Sequence, residues 1–157
     1  MINIAAVVED LNISQKSFYL IKEFNKMIED TDISTSVFFL KPSIPPVAPF
    51  FACRGSYSLG TYHGVAISTS LRETEIMLNS SNASDKYFYV WDLEWLENSL
   101  RFEQAMKIMR DDRLKIIARS ECHAVAIDNF CNKKPIGIVS DWNKDQLLEV
   151  IKNEQNR

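Results

Sequence analysis

The sequence predicts an α/β fold: a single doubly wound Rossmann-like domain with a six-stranded parallel sheet. Three observations carry that expectation. Short apolar runs suited to buried strands recur along the chain, helical patterns alternate with them, and Ser14, Ser70 and Ser120 stand as caps at helix starts. With 157 residues, 46% of them apolar and 11% aromatic, the chain can bury one substantial core, so one domain is expected over 1–157.

Ile2 to Val8 reads as the first strand. Ser14 then opens a helix to about Asp30, with Phe18, Leu20, Ile21, Phe24, Met27 and Ile28 at helical spacing. Ile33 to Leu40 is the second strand. An irregular loop at about 41–63 follows, where Pro42, Pro45, Pro46 and Pro49 exclude regular helix and central strand. Its apolar content exceeds that of a plain linker, and it is expected to pack over the carboxyl edge of the sheet, with a short extra strand around Phe50 to Cys53. Gly64 to Thr69 is the third strand, and Ser70-Leu-Arg-Glu73 is a capping box opening a helix to about Asn79. Tyr87 to Trp91 is the fourth strand, before a helix over roughly Phe102 to Arg110. Leu114 to Ala118 is the fifth, followed by a helix from Ser120 to about Asn132. Pro135 leads the sixth, Ile136 to Ser140, and Asn143-Lys-Asp-Gln146 starts the last helix.

Composition excludes several function classes. The net charge is −3 and the basic residues are scattered, which gives no broad footprint for duplex nucleic acid. No apolar run approaches the roughly 20 residues of a membrane span, and the start of the chain does not read as a signal peptide; a cytoplasmic protein is expected. Cys53, Cys122 and Cys131 have no metal-ligand spacing and an odd count, so neither a zinc site nor a disulfide is predicted.

The segment Lys86 to Leu96, KYFYVWDLEWL, holds the main candidate chemistry. It places Asp92 and Glu94 just past a buried strand, where ligands bind in open parallel sheets. Asp92 is a candidate to accept a proton from a hydroxyl or to bind a sugar, and Trp91 and Trp95 offer flat faces for stacking or for core packing. Asp10, after the first strand, lies in a turn without glycine, which argues against a dinucleotide; Asn12 and Ser14 there read as an acceptor-binding turn or as helix caps. A phosphoacceptor domain needs an aspartate where Ser68-Thr69-Ser70 stands, and no P-loop motif is present. His63, between Gly60 and Gly64, is a candidate general base or a solvated loop residue; His123 reads as a surface or packing residue. Asp10, the 41–63 loop, Ser70 and Asp92 are expected to gather at the carboxyl edge.

In the order of these parts the chain resembles the N-terminal Rossmann-like half of GT-B glycosyltransferases, family 4-like. The segments that carry the resemblance are Tyr89-Val-Trp-Asp-Leu-Glu-Trp95, Leu114 to Ile127 and Pro135 to Trp142. It implies the acceptor-binding half of a transferase, with a nucleotide sugar as donor substrate, no tightly bound cofactor and no metal. Asp92 would orient the acceptor, His63 or Asp10 would assist proton transfer, and Trp95, Glu94, Ser70 and Asn12 would contact substrate. A saccharide, a protein or a modified DNA base would serve as acceptor. The chain departs from the family in its glycine-free first turn, in Trp91 where a histidine precedes the aspartate, and in carrying no second Rossmann domain. A homodimer or a partner supplying the C-terminal half is therefore expected, with Trp95, Trp142 and the Phe50 to Tyr62 stretch covering that face. So short a version suits a compact genome such as a bacteriophage's, and would act in host cytoplasm. The competing reading is a non-catalytic binding or regulatory module that kept the fold and lost the donor site.

Overall fold

The computed structural model describes residues 1–156. The chain runs β1 (Ile2–Val8), α1 (Gln15–Met27), β2 (Ile33–Phe39), β3 (Ala52–Gly55), β4 (Val65–Ser68), α2 (Leu71–Ser80) and β5 (Asp85–Val90). It continues through α3 (Glu94–Glu97), α4 (Phe102–Met109), β6 (Leu114–Ala118), α5 (Glu121–Cys131), β7 (Gly137–Ile138) and α6 (Lys144–Gln155), with 3₁₀ turns at Ser56–Thr61 and Ser99–Arg101. The strands form one sheet of seven in the order β3-β2-β1-β4-β5-β6-β7, every neighbouring pair parallel.

Strand alternation sends side chains to two cores. Ile4, Ala6 and Val8 of β1 join Tyr87, Tyr89 and Trp91 against α1 and α6. Ala5 and Val7 join Phe88, Val90, Ile116 and Ala118 against α2, α3, α4 and α5. A sheet covered on both faces explains why its strands read as nearly continuous apolar runs. In α1, Ser14 caps the helix by accepting from Ser17 N at 3.0 Å, and Ser17, Leu20, Ile21, Phe24 and Met27 are buried. Phe18 and Ile28, expected on that stripe, are 41% and 40% exposed. They sit at its flanks, and the small Ser17 occupies the crowded line against the sheet.

The seventh strand of the sheet, β3, is the short extra strand expected around Phe50 to Cys53, placed two residues later at Ala52–Gly55. Ala52, Cys53 and Arg54 of β3 are exposed at the edge of the sheet, and apolar periodicity reports burial, which an uncovered edge strand lacks. The 41–63 segment departs from expectation in part. Its first residues reach the carboxyl edge, where Lys41 N donates to Glu9 O and Ser43 Oγ accepts from Leu11 N, and the end of β3 returns there, with Gly55 level with Phe39. Between these points it runs back along α1, where Asn25 Nδ2 donates to Ala48 O and its Oδ1 accepts from Phe50 N, to start β3 level with Ser36, midway along β2. β7 is shorter than the Ile136 to Ser140 run, because Asp141 and Trp142 adopt φ of 47° and 62° and turn the chain away.

At the amino edge, Gly64 has φ 147°, and a Cβ there would lie 2.7 Å from Asn3 O. Its own carbonyl accepts from Ser84 N at 2.9 Å, tying the starts of β4 and β5 together. Gly64→Ala is expected to cost about 1–3 kcal/mol through this φ and clash, read as a lower urea midpoint at unchanged slope. An unchanged midpoint would show that the turn tolerates a side chain.

Candidate functional site

The strand order switches between β1 and β4, so the crevice beyond their carboxyl ends is where an open α/β sheet takes ligands. Here that position is filled from within. Ser70 caps α2 and its Oγ accepts from Glu73 N at 3.3 Å, and the Glu73 side chain turns back over the strand ends. Its Oε1 accepts from Glu9 N at 2.7 Å; its Oε2 accepts from Thr69 N at 2.8 Å and from Thr69 Oγ1 at 2.7 Å. Glu73 is fully buried and Thr69 nearly so. The carboxylate lies at the positive end of α2, which favours an anion, and it takes the backbone donors from both strand ends.

Beside this closure the surface is polar and open. The Glu9 carboxylate binds Lys41 Nζ at 2.6 Å and Arg72 Nη1 at 3.0 Å. A pocket of about 440 Å³ lies between the start of α2 and the α3–α4 segment, with Arg72, Glu75, Glu94, Glu97, Asn98 and Arg101 among the residues that line it. Glu94 Oε1 accepts from Leu71 N at 3.0 Å, satisfying a donor in the first turn of α2. Desolvation pushes the Glu94 carboxyl above the ordinary carboxylate range; the Leu71 N–H pulls the other way, and the Glu73 and Asp92 charges add to the rise. Amide, guanidinium and carboxyl groups thus alternate around the pocket, which suits a ligand with several hydroxyls.

Farther along the same edge, Arg119 follows β6 and its guanidinium lies over the Trp91 ring, 3.9 Å from the ring centre. Arg119 Nη2 also pairs with Asp141 Oδ1 at 3.0 Å. Trp91 is 5% exposed beneath it.

The sequence-named residues divide between two ends of the sheet. Asp10, Asn12, Ser70, Asp92 and Glu94 follow β1, β4 and β5 and lie at or near the carboxyl edge; β1 and β5 are separated by one strand, roughly 10 Å laterally. His63 precedes β4 and lies at the amino edge. From the β4–β5 register it is on the order of 30 Å from Asp92 at about 3.3 Å per strand residue, so the two share no catalytic centre. The 41–63 segment meets the carboxyl edge at its start and again at the end of β3, but the 3₁₀ turn at Ser56–Thr61 then carries the chain to the amino edge before His63. Trp95 is corrected too: at 2% exposure it is a core residue under α3 with no open face for a sugar. Trp142 is fully buried and likewise covers no partner surface. Asp10 Oδ1 accepts from Asn12 N at 2.9 Å, and the Ser70 hydroxyl is engaged in capping. Asp92 is exposed.

Sequence reasoning missed Arg72, Arg101, Arg119 and Asp141, and it read Glu73 as a cap alone. The capping box was the available signal for Glu73; for Arg119 and Asp141 the signal was only their position after predicted strands. Among the described residues no group of three His, Cys, Asp or Glu side chains is placed to hold a metal ion, and no helix is long and apolar enough to cross a membrane. Comparison of the chain with protein-family models, with curated proteins and with solved structures gives no match.

Proposed function

We propose that this chain is a glycosyltransferase-like module that binds the acceptor saccharide at the carboxyl edge and works with a second polypeptide that holds the nucleotide sugar. One observation carries the reading: Glu73 occupies the switch point that would otherwise offer backbone donors to a phosphate, while the hydroxyl-compatible pocket beside it stays open. Within this reading Asp92 and Glu94 accept acceptor hydroxyls, and Arg72 and Arg101 donate to them. Calorimetric titration of the isolated chain tests it. Oligosaccharides should bind, more weakly in Arg101→Ala, and nucleotide sugars should not. Binding of a nucleotide sugar to the chain alone would sink the proposal.

A second reading, a non-catalytic binding or regulatory module, is favoured by one feature. Asp92 follows a buried tryptophan, and His63, the candidate base, lies at the other end of the sheet, so it cannot carry a proton for Asp92. Saccharide binding without transfer, in the presence of a nucleotide sugar and a donor-side chain purified with it, would select this reading.

The pocket carboxyl also gives a pH test. A carboxyl raised by burial holds its proton more tightly folded than unfolded, so its contribution favours the folded state at low pH and declines as pH rises from the ordinary carboxylate value through the raised one. Glu94→Gln keeps an acceptor for Leu71 N and removes the charge. Its Tm relative to wild type is therefore expected to rise between pH 4 and pH 7. A constant difference across that range would show that desolvation of Glu94 is not a stability term.

A further inference from the structure

The turn after β7 contains two consecutive non-glycine residues in left-handed backbone, Asp141 at φ 47° and Trp142 at φ 62°. Such positions are costly and persist only where surroundings impose them. Here the surroundings do. Trp142 is fully buried between Phe24 and Tyr89, and the Tyr89 hydroxyl donates to Val139 O at 2.6 Å and meets Trp142 N at 3.5 Å. The result of this enforced turn is that the Asp141 carboxylate reaches Arg119 across the carboxyl edge.

Arg119 is restrained in turn by its contact with the Trp91 ring, 3.9 Å from the ring centre, and by its pairing with Asp141. Asp141 engages one end of the fork through one oxygen. Among the described residues, Nε and Nη1 of Arg119 and Oδ2 of Asp141 have no partner, and the two side chains are 26% and 41% exposed. A restrained, partly exposed row of donors beside an acceptor is thus left open. The pair is neutral as a whole, so an anion gains little there, and the Asp141 carboxylate repels it. A hydroxyl suits both halves, since it accepts from the guanidinium and donates to the carboxylate, and two adjacent hydroxyls span the pair.

From this geometry we infer a second sugar subsite, in which Arg119 and Asp141 together bind a vicinal diol of a neutral saccharide. The inference rests on the saccharide reading for its ligand class and extends it to the far end of the same edge. Arg119→Lys keeps the charge and loses the plane and the fork; Asp141→Asn keeps a residue that tolerates left-handed backbone and loses the negative acceptor.

The probes are methyl glycosides with a vicinal diol, their monodeoxy analogues, and inorganic phosphate, followed by saturation-transfer NMR and by tryptophan fluorescence, to which Trp91 contributes beside Trp95 and Trp142. The diol glycosides should bind wild type, and the deoxy analogues should bind about tenfold or more weakly, because unpaired polar groups are left behind. Arg119→Lys and Asp141→Asn should show the same loss for the diol and little further loss for the deoxy sugar. The deoxy comparison uses wild-type protein, so it decides the matter even if a variant fails to fold. Equal binding of diol and deoxy sugars, or loss only in Arg101→Ala, would overturn the subsite and leave the acceptor pocket standing. Phosphate displacing the glycoside through Arg119 would replace the diol site by an anion site. No glycoside binding to wild type at all would overturn this subsite and the saccharide reading together.

Discussion

Glu73→Ala is expected to lower the unfolding free energy by about 3–5 kcal/mol, near the upper end for a single substitution. The Glu73 carboxylate is fully buried and accepts from Glu9 N, Thr69 N and Thr69 Oγ1, all between 2.7 and 2.8 Å. Truncation leaves two backbone donors and a hydroxyl without their acceptor, and each buried unsatisfied group costs about 1–3 kcal/mol. Water entering the space recovers part of that sum. For a chain of this size the Tm should fall by about 6–20 °C. Glu73→Gln retains one acceptor oxygen but points an amide N–H₂ at donors, so its loss should be intermediate. A loss below about 1 kcal/mol in the alanine variant would mean that the strand ends find other acceptors, and the idea of a closed switch point would go with it. The same substitution carries a functional corollary: removing the internal anion frees the strand-end donors Glu9 N and Thr69 N, and inorganic phosphate should then protect the variant against heat more than it protects wild type.

The contrast between Glu73 and Trp95 shows what the amino-acid order could convey. The alternation of apolar runs with capped helical patterns made the doubly wound sheet legible, because a parallel sheet buried on both faces writes its strands as continuous apolar segments. Ser14, Ser70 and Ser120 cap their helices as the sequence suggests. The extra strand β3 was faint because its residues are exposed. The site was less legible because it depends on contacts distant in sequence. Glu73 binds Glu9 from 64 positions away, and Arg119 and Asp141 are separated by 22. An aromatic after a strand looks the same whether it faces solvent or core, and only the packing of α3 and α4 decides that Trp95 is inside. His63 misled for a topological reason, since its loop begins at one edge of the sheet and ends at the other.

Trp142→Ala is expected to cost about 3–5 kcal/mol, the range for truncating a large buried aromatic. Its ring is fully buried and packs edge-on against Phe24 and Tyr89, with ring centres 5.6 and 5.0 Å apart. Both α1 and β5 therefore lose contact at once, and the cavity lies where α6 closes the core. The backbone makes a sharper test possible. Glycine is usually worse than alanine by roughly 0.5–1 kcal/mol in regular structure, but at φ 62° it escapes the left-handed penalty of about 1–2 kcal/mol that alanine bears. Trp142→Gly should therefore be as stable as Trp142→Ala or more so, although it removes one more carbon. Trp142→Phe, which keeps an aromatic edge for Tyr89, should lose least of the three. Chemical denaturation of the set separates the two terms: the gap between Phe and Ala reports the cavity, and the gap between Ala and Gly reports the strain. If alanine proves clearly more stable than glycine, the turn relaxes out of the left-handed region once the ring is gone. Asp141 would then leave Arg119 as well, so the alanine variant's affinity for a diol sugar should drop with its stability, whereas an unrelaxed turn would keep the pair in place.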